Sequence, residues 1–340
     1  MKKIKIPIEK AIGEKIPHDF TKIDKREGFK GAYFKKGHII REGDIEKLKQ
    51  IGKNYIYKIT PSKNDIHEDD FAVSVAPLLA GENVSFSKEP SEGKILFKSS
   101  IDGLLKIDRK RLLKINCISQ TSFPTIHDNF PVKKGQQIAA FRTIPLYVNR
   151  KILDRVKKIA DKPVLSVVGY KIKEARIIVT GTEVYNGLVK DEFMPKITSK
   201  IKAFGVSVED SVIVPDDKQA IKEAFLKFKD GEFVIVTGGS SVDPDDVTKD
   251  ALKKAGVRFI REGNPIQPAN NLTIGYLDKT TVCVVPAGAL FYKASAFDIM
   301  LPRLLAKDKI TKKDIANYAL GGLCHFCAVC IYPVCPFGKS

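Results

Sequence analysis

Apolar runs and amphipathic stretches alternate most regularly between residues 173 and 306. ARIIVTG, VSVEDSVIV and FVIVTGG are short runs of strand character, rich in β-branched residues. DEFMPKITSKIKAFG and DDKQAIKEAFLKFKDG lie between them and carry helical spacing. Gly205 and Gly231 stand where those helices should stop, and Asp216 or Asp217 where the second should be capped. PDDVTKDALKKAG predicts a further helix ending at Gly256, after which VRFIRE, NLTIGYL and TVCVVPA add strands. FYKASAFDIMLPRLLA predicts the last helix of this stretch. The alternation predicts an α/β domain, and FVIV suits a strand buried on both faces of a parallel sheet.

The rest of the chain reads differently. In residues 1–60, GHIIREGDIEKLKQIGKNYIYKI predicts strand, turn, short helix and strand, with Asp44 as cap and Gly52 as stop. His18 and His38 stand alone among lysines and read as solvated or locally bonded groups. Residues 61–172 hold ENVSFSKE, GKILFKSS, GLLKIDRKRLLKI and QQIAAFRTIPLYV, strand-like runs separated by turn residues, which predict a β-rich domain. Residues 307–340 form a Lys-rich linker, a short helix around DIANYALGG and a cysteine-rich tail.

Ligands of α/β sheets bind at the carboxyl ends of the strands. Two turns at such ends share one chemistry. After ARIIV come Thr180, Gly181, Thr182 and the acid Glu183. After FVIV come Thr237, Gly238, Gly239, Ser240 and Ser241, then Asp243, Asp245 and Asp246. Glycine admits a ligand close to the backbone, and hydroxyls with free N–H groups bind phosphate oxygens. Carboxylates beside a phosphate site make sense with a divalent cation between them. The other reading of Asp245 and Asp246 is as caps of the following helix.

Charge and cysteines add two points. The 340 residues carry a net charge of +18, which favours polyanionic partners: phosphorylated small molecules, anionic membrane or nucleic acid. Aromatics do not interleave with the lysines in an RNA-binding pattern, so nucleic acid is the weaker expectation. No apolar run approaches the roughly 18 residues of a membrane span. MKKIKIPIEK lacks the apolar core of a signal peptide, and a cytoplasmic protein is expected. Cys117 and Cys283 stand alone and read as buried structural thiols. Cys324, Cys327, Cys330 and Cys335 follow C-x2-C-x2-C-x4-C-P, one residue longer than a ferredoxin cluster loop. Four thiolates so spaced suit an iron–sulfur cluster or Zn²⁺; the alternative is an unpaired or redox-active thiol tail.

TGTEVYNG and TGGSSVDPDDVT resemble the two turn motifs of the molybdopterin-binding domain found in molybdenum-cofactor biosynthesis and competence-damage-inducible proteins. REGNPIQPANN and VPAGALFYKASAFDIMLPRLL extend the resemblance. GHIIREGDIEKLKQIGKNYIYKI looks like an edge domain of the molybdopterin molybdotransferases, and the cysteine tail like the ending of a branch of molybdopterin-binding proteins. The resemblance implies a three-layer α/β domain over 173–306. It implies molybdopterin or its adenylylated form on the turns, Mg²⁺ and molybdate nearby, and Glu183 and Asp246 as the acids of the two motifs. It also implies a molybdenum enzyme as recipient and a homo-oligomer. Pro286-Ala287-Gly288-Ala289 stands where the molybdotransferases carry Pro-Gly-Asn-Pro. Two roles follow from this resemblance: binding for biosynthesis, storage or delivery, and Mg²⁺-dependent insertion of molybdate.

Overall fold

The computed structural model describes residues 2–24, 28–91, 93–238 and 247–339. They form two compact units.

The first unit holds Met1–Ser100, Ile107–Ile126 and Gly135–Ser166. Strand Lys2–Pro7 pairs antiparallel with Tyr55–Thr60. Ile8, Ile16, Leu48 and Ile56 pack into a small core beneath them. Helix Ile45–Gln50 ends at Gly52, which takes a φ of +77°. Asp44 precedes that helix but does not cap it with its side chain. Its carboxylate instead accepts from the Arg41 N–H and pairs with His38 Nε2 at 2.7 Å, the local bonding expected of that histidine.

Val84–Phe86, Lys94–Ser99, Gln137–Thr143 and Thr121–Ser122 form a four-stranded antiparallel sheet. Three helices accompany these strands: Glu68–Leu79, Arg109–Asn116 and Arg150–Ile159. The second of them corrects the strand reading of GLLKIDRKRLLKI. Only Gly103–Ile107 is extended; Asp108 then accepts from the Arg111 N–H and starts a helix. Cys117 caps the carboxyl end of this helix and is exposed, so it is not the buried thiol expected.

The second unit holds Ile101–Lys106, His127–Lys134 and Val167–Ser340. Its centre is a six-stranded sheet. In chain order the strands are β1 (Glu174–Thr180), β2 (Ser207–Val214), β3 (Phe233–Thr237), β4 (Arg258–Arg261), β5 (Thr273–Leu277) and β6 (Thr280–Val285). The spatial order is β2-β1-β3-β6-β5-β4. β2, β1, β3 and β6 run parallel, and β5 and β4 complete the edge antiparallel. The helices are α1 (Thr182–Tyr185), α2 (Phe193–Lys202), α3 (Lys218–Phe228), α4 (Thr248–Lys254), α5 (Gly288–Phe291), α6 (Ala296–Leu305) and α7 (Lys312–Asn317).

Strand alternation divides the core into two layers. Ile177, Val179, Phe233, Ile235, Cys283 and Val285 face α2 and α6 through Ile197, Ile201, Phe297 and Leu301. Ile178, Val234, Val236, Val282 and Val284 face α3 and α4 through Ile221, Phe225 and Leu252. Helices on both faces make a three-layer α/β domain, which explains why every residue of β3 is buried. Each fully buried Ile, Val or Phe contributes about 1.5–3 kcal/mol. Cys283 is one of these core groups; burial pushes its thiol pKa up and keeps it protonated. Asp217 caps α3 by accepting from the Gln219 and Ala220 N–H groups. α6 begins at Ala296, later than its sequence pattern suggested, because Ser295 and Asp298 close a capping interaction there.

Candidate functional site

The chain leaves β1 toward β2 on one side, then returns across β1 to lay β3 on its other side. The carboxyl ends of β1 and β3 therefore flank the point where the winding of the sheet reverses. At such a point the two loops part and leave a crevice, the usual ligand position of an open α/β sheet. Both Thr-Gly turns lie there.

Register brings the turns together. Thr180 is opposite Val214, Val179 opposite Thr237, and Thr237 opposite Val285. Gly238 thus falls level with Thr180. Its φ is +86°, and a Cβ added to it would lie 2.5 Å from the Thr180 carbonyl oxygen and 2.7 Å from the Thr180 hydroxyl. Only glycine lets these two backbones approach so closely. The Gly181 N–H donates to the Val214 carbonyl at 3.1 Å, which ties the first turn to the end of β2.

Thr180 and Thr237 are both buried, and neither hydroxyl has a hydrogen-bond partner among the described residues. Thr180 continues the face of Ile178, and Thr237 that of Ile235, so the two hydroxyls flank the strand ends from opposite sides of the sheet. Leaving a buried hydroxyl unpaired costs roughly 1–3 kcal/mol, so such groups call for a reason. A ligand oxygen at the strand ends is one.

Thr182 and Glu183 are exposed on α1, immediately after the first turn. The Thr182 N–H donates to the Asp216 carboxylate at 2.9 Å, and the Asp216 N–H donates back to the Thr182 hydroxyl at 3.1 Å. Asp216 is the site residue that the sequence reading missed. The sequence offers it as one of two alternative caps for α3, yet Asp217 takes that role alone. The signal was Val214-Pro215-Asp216: a third parallel strand ending in an acid, beside the first Thr-Gly turn.

The structure therefore brings Thr180, Gly181, Thr182, Glu183, Thr237 and Gly238 to one end of the sheet. Gly239, Ser240, Ser241, Asp243, Asp245 and Asp246 lie outside the described residues. Beyond them, Thr248 opens α4 fully buried, with its hydroxyl 3.5 Å from the Gly238 carbonyl. No helix among the described residues is long and apolar enough to cross a membrane.

The four tail cysteines meet elsewhere in the same unit. All are free thiols, and all four line one cavity of about 330 Å³. Among the described residues, no three His, Cys, Asp or Glu side chains stand close enough to hold a single metal ion.

These features define a class, an α/β domain with polar Thr-Gly turns at its strand switch point. Comparison with known proteins shows what part of the chain is similar to. Residues 176–306 match the family described as a probable molybdopterin binding domain. Residues 5–60 match a domain family of unknown function. A CinA-like protein of Fervidobacterium nodosum is 27% identical over 132 residues, which are 37% of this chain and 32% of that protein. A CinA-like protein of Amoebophilus asiaticus is 36% identical over 80 residues, 23% of this chain and 19% of that one. The chain thus spans a third or less of the length of these curated relatives. Among solved structures, CinA of Thermoplasma acidophilum is similar at a TM-score of 0.35 and 18% identity, covering 39% of this chain and 98% of that one. The tungsten cofactor synthesizing protein MoaB of Pyrococcus furiosus is similar at 0.32 and 16%, covering 39% and 93%.

Proposed function

We propose that the chain binds molybdopterin, or its adenylylated form, across the carboxyl ends of β1 and β3, and that it serves the biosynthesis, storage or delivery of the molybdenum cofactor. The observation that carries this is the meeting of the two Thr-Gly turns at the switch point, where two buried hydroxyls lack partners among the described residues. The match of residues 176–306 to the molybdopterin-binding family supports the ligand class. In this reading Gly181 and Gly238 let the phosphate approach the backbone, and Thr180 and Thr237 donate to its oxygens. Gly239, Ser240 and Ser241 add donors on the second turn.

Asp216 and Glu183 put carboxylate oxygens beside the first turn, and Asp243, Asp245 and Asp246 follow the second in sequence. Oxygen donors of this kind suit Mg²⁺, which would neutralise phosphate charge and polarise a phosphoanhydride oxygen when bound. These acids favour a second reading, a molybdotransferase that takes molybdate and adenylylated molybdopterin. Glu183 and Asp246 would be its catalytic carboxylates. The Pro286-Ala287-Gly288-Ala289 turn, which opens α5, favours the binding role instead. A molybdenum enzyme as recipient and self-association through the α/β domain belong to the same proposal. The four tail cysteines are proposed as a separate thiolate site for zinc or an iron–sulfur cluster.

The deciding experiment is the pterin content of protein purified without oxygen from a cofactor-producing host. Denaturation and oxidation of the extract should release a near-stoichiometric fluorescent pterin. Absence of pterin, together with no saturable binding of added molybdopterin, would sink the reading. AMP release from adenylylated ligand plus molybdate separates the two roles. Asp246→Asn should abolish that release if the carboxylate is catalytic, and unchanged turnover removes it from the mechanism.

A further inference from the structure

The strand-end site leaves the cavity around the cysteine tail unexplained. The tail is a fixed element. The Cys324 N–H donates to the Gln267 carbonyl at 2.8 Å, and the Gln267 N–H donates to the Gly322 carbonyl at 2.8 Å. At the far end, the Gly338 N–H donates to the Gly321 carbonyl at 2.9 Å, and the Tyr332 hydroxyl donates to the Asp298 carbonyl at 3.0 Å. A Cβ on Gly322 would lie 2.2 Å from the Tyr318 carbonyl oxygen, and one on Gly338 would lie 2.5 Å from Ile299. The residues between Gly322 and Gly338 are thus a loop anchored at both ends against β-sheet connections and α6. A terminal segment held this closely defines a shape, and that shape is a pocket with four thiols in its wall.

The wall chemistry is one-sided. Besides the sulfurs it is mainly aromatic and aliphatic, with Phe291, Tyr292, Phe326 and Phe337 among its residues. Besides its thiols and the hydroxyls of Tyr292 and Tyr332, its charged or titratable neighbours are Lys293 and His325, and among the described residues no carboxylate lines it. Such a wall favours a soft, anionic, sulfur-rich occupant over a hard cation. One sulfur already accepts a backbone hydrogen bond. Phe326 takes a φ of +50°, and this turns its N–H toward the Cys324 sulfur at 3.4 Å. Hydrogen bonds from backbone N–H groups to sulfur are among the features that set cluster properties.

Sulfur spacing and the sequence motif bear on the choice between one ion and a cluster. A tetrahedral zinc site with Zn–S bonds of about 2.3 Å requires its four sulfurs within about 4 Å of one another. No three donor side chains among the described residues approach single-ion spacing. The four sulfurs instead line a cavity of about 330 Å³. In a polynuclear cluster, iron and sulfide atoms stand between the cysteines and hold them farther apart. The C-x2-C-x2-C start of the run matches the loop that wraps such a cluster.

We propose that Cys324, Cys327, Cys330 and Cys335 together ligate one four-iron, four-sulfide cluster in this cavity. The proposal rests on the reading of the tail as a thiolate metal site and is independent of the pterin reading.

The test uses the full chain purified without oxygen and, in parallel, reconstituted with ferrous iron and sulfide. Iron, acid-labile sulfide and zinc are counted, and the visible and electron paramagnetic resonance spectra are recorded before and after dithionite. About four irons and about four sulfides per chain are expected, with charge-transfer absorption that bleaches on reduction as a paramagnetic signal appears. Cys327→Ser should lose at least half of the iron or shift the reduced spectrum, while Cys117→Ala, outside the tail, should change neither. Because Cys327 is exposed, its replacement leaves packing intact, and circular dichroism checks that it does. One zinc per chain with no iron would overturn the cluster and keep the thiolate site. Neither metal, even after reconstitution, would overturn both. Iron that survives replacement of all four tail cysteines would overturn the assignment of ligands.

Discussion

The strand-end site and the tail cavity lie in one compact unit but offer opposite chemistries. At the strand ends the groups that would face the proposed ligand are backbone, hydroxyl and carboxylate, all hard oxygen or nitrogen functions. In the tail they are thiols set among aromatic rings. The difference follows from how each region is built. The strand-end site is made by sheet topology, which fixes where two glycine turns meet and leaves their polar groups at the edge. The tail cavity is made by a loop with little regular structure, whose shape depends on a few backbone hydrogen bonds and close glycine contacts. Disturbing the first should therefore disturb the whole domain, whereas disturbing the second should be felt locally.

Gly238→Ala is the strongest way to break the first half of that comparison. The new Cβ would meet the Thr180 carbonyl at 2.5 Å, on a backbone at φ +86°. A positive φ alone costs an alanine about 1–3 kcal/mol, and the clash with main chain adds to it. A loss of about 3 kcal/mol or more is expected in thermal or urea unfolding, together with loss of ligand binding. Gly288→Ala is the matched control, because a Cβ there meets nothing within 4 Å. It should change stability by less than about 0.5 kcal/mol. Similar effects for the two would show that the turns do not touch.

Gly322→Ala tests the tail in the same terms. Its Cβ would meet the Tyr318 carbonyl at 2.2 Å and the Pro265 carbonyl at 2.5 Å. The cheapest relief is to release the loop, so the tail should become sensitive to limited proteolysis and lose bound metal. The α/β sheet should remain, with a stability loss of about 1–2 kcal/mol at most. A collapse of the whole unit as severe as that of Gly238→Ala would show that Phe337, which packs into the core, ties the tail to the stability of the whole unit.

Thr237→Val sharpens the comparison at a single atom. It replaces a hydroxyl that is buried, and unpartnered among the described residues, by a methyl group of similar size. The ligand-free protein should gain about 1 kcal/mol, because an unsatisfied group disappears. Ligand binding should weaken by about tenfold if that hydroxyl donates to a phosphate oxygen. A variant that is less stable without ligand would show that the hydroxyl already has a partner in the protein.

How far the sequence revealed these two regions depends on which interactions made them. Strands β1, β3 and β6 were legible because burial on both faces leaves uninterrupted apolar runs such as FVIV. Helix ends were legible where a glycine had to take a positive φ, as at Gly205 and Gly256. GLLKIDRKRLLKI misled because short apolar pairs suit either period, and only Asp108 marks the switch from strand to helix. Asp216 was hidden by its neighbour: two adjacent acids before one helix look like alternative caps, and only the fold shows that one caps while the other crosses to Thr182. Cys117 looked like a core thiol because nothing in its local pattern reports that a helix ends there in solvent. The four tail cysteines were legible as a group, but the cavity they line depends on Phe291, Tyr292 and the Gln267 backbone, which are distant in sequence.

The smallest expected effect is also the one that tells most about the strand-end chemistry, because its sign depends on a cation. The Asp216 carboxylate holds the Thr182 N–H, a group that a phosphate entering the first turn would compete for. It also places a negative charge beside any phosphate bound there. Without a divalent cation, Asp216→Asn should therefore tighten binding of a pterin phosphate or of pyrophosphate by about three- to tenfold, since one repulsive charge near the surface is worth on the order of 1 kcal/mol. With magnesium present the gain should vanish or reverse, because the same carboxylate then helps to hold the cation between itself and the phosphate. Isothermal titration of both proteins, with chelator and with magnesium, measures the two values directly. A variant whose affinity changes equally in both conditions would separate Asp216 from the cation. Thr182 and Asp216 would then be no more than a clasp that fixes the first turn against the end of β2.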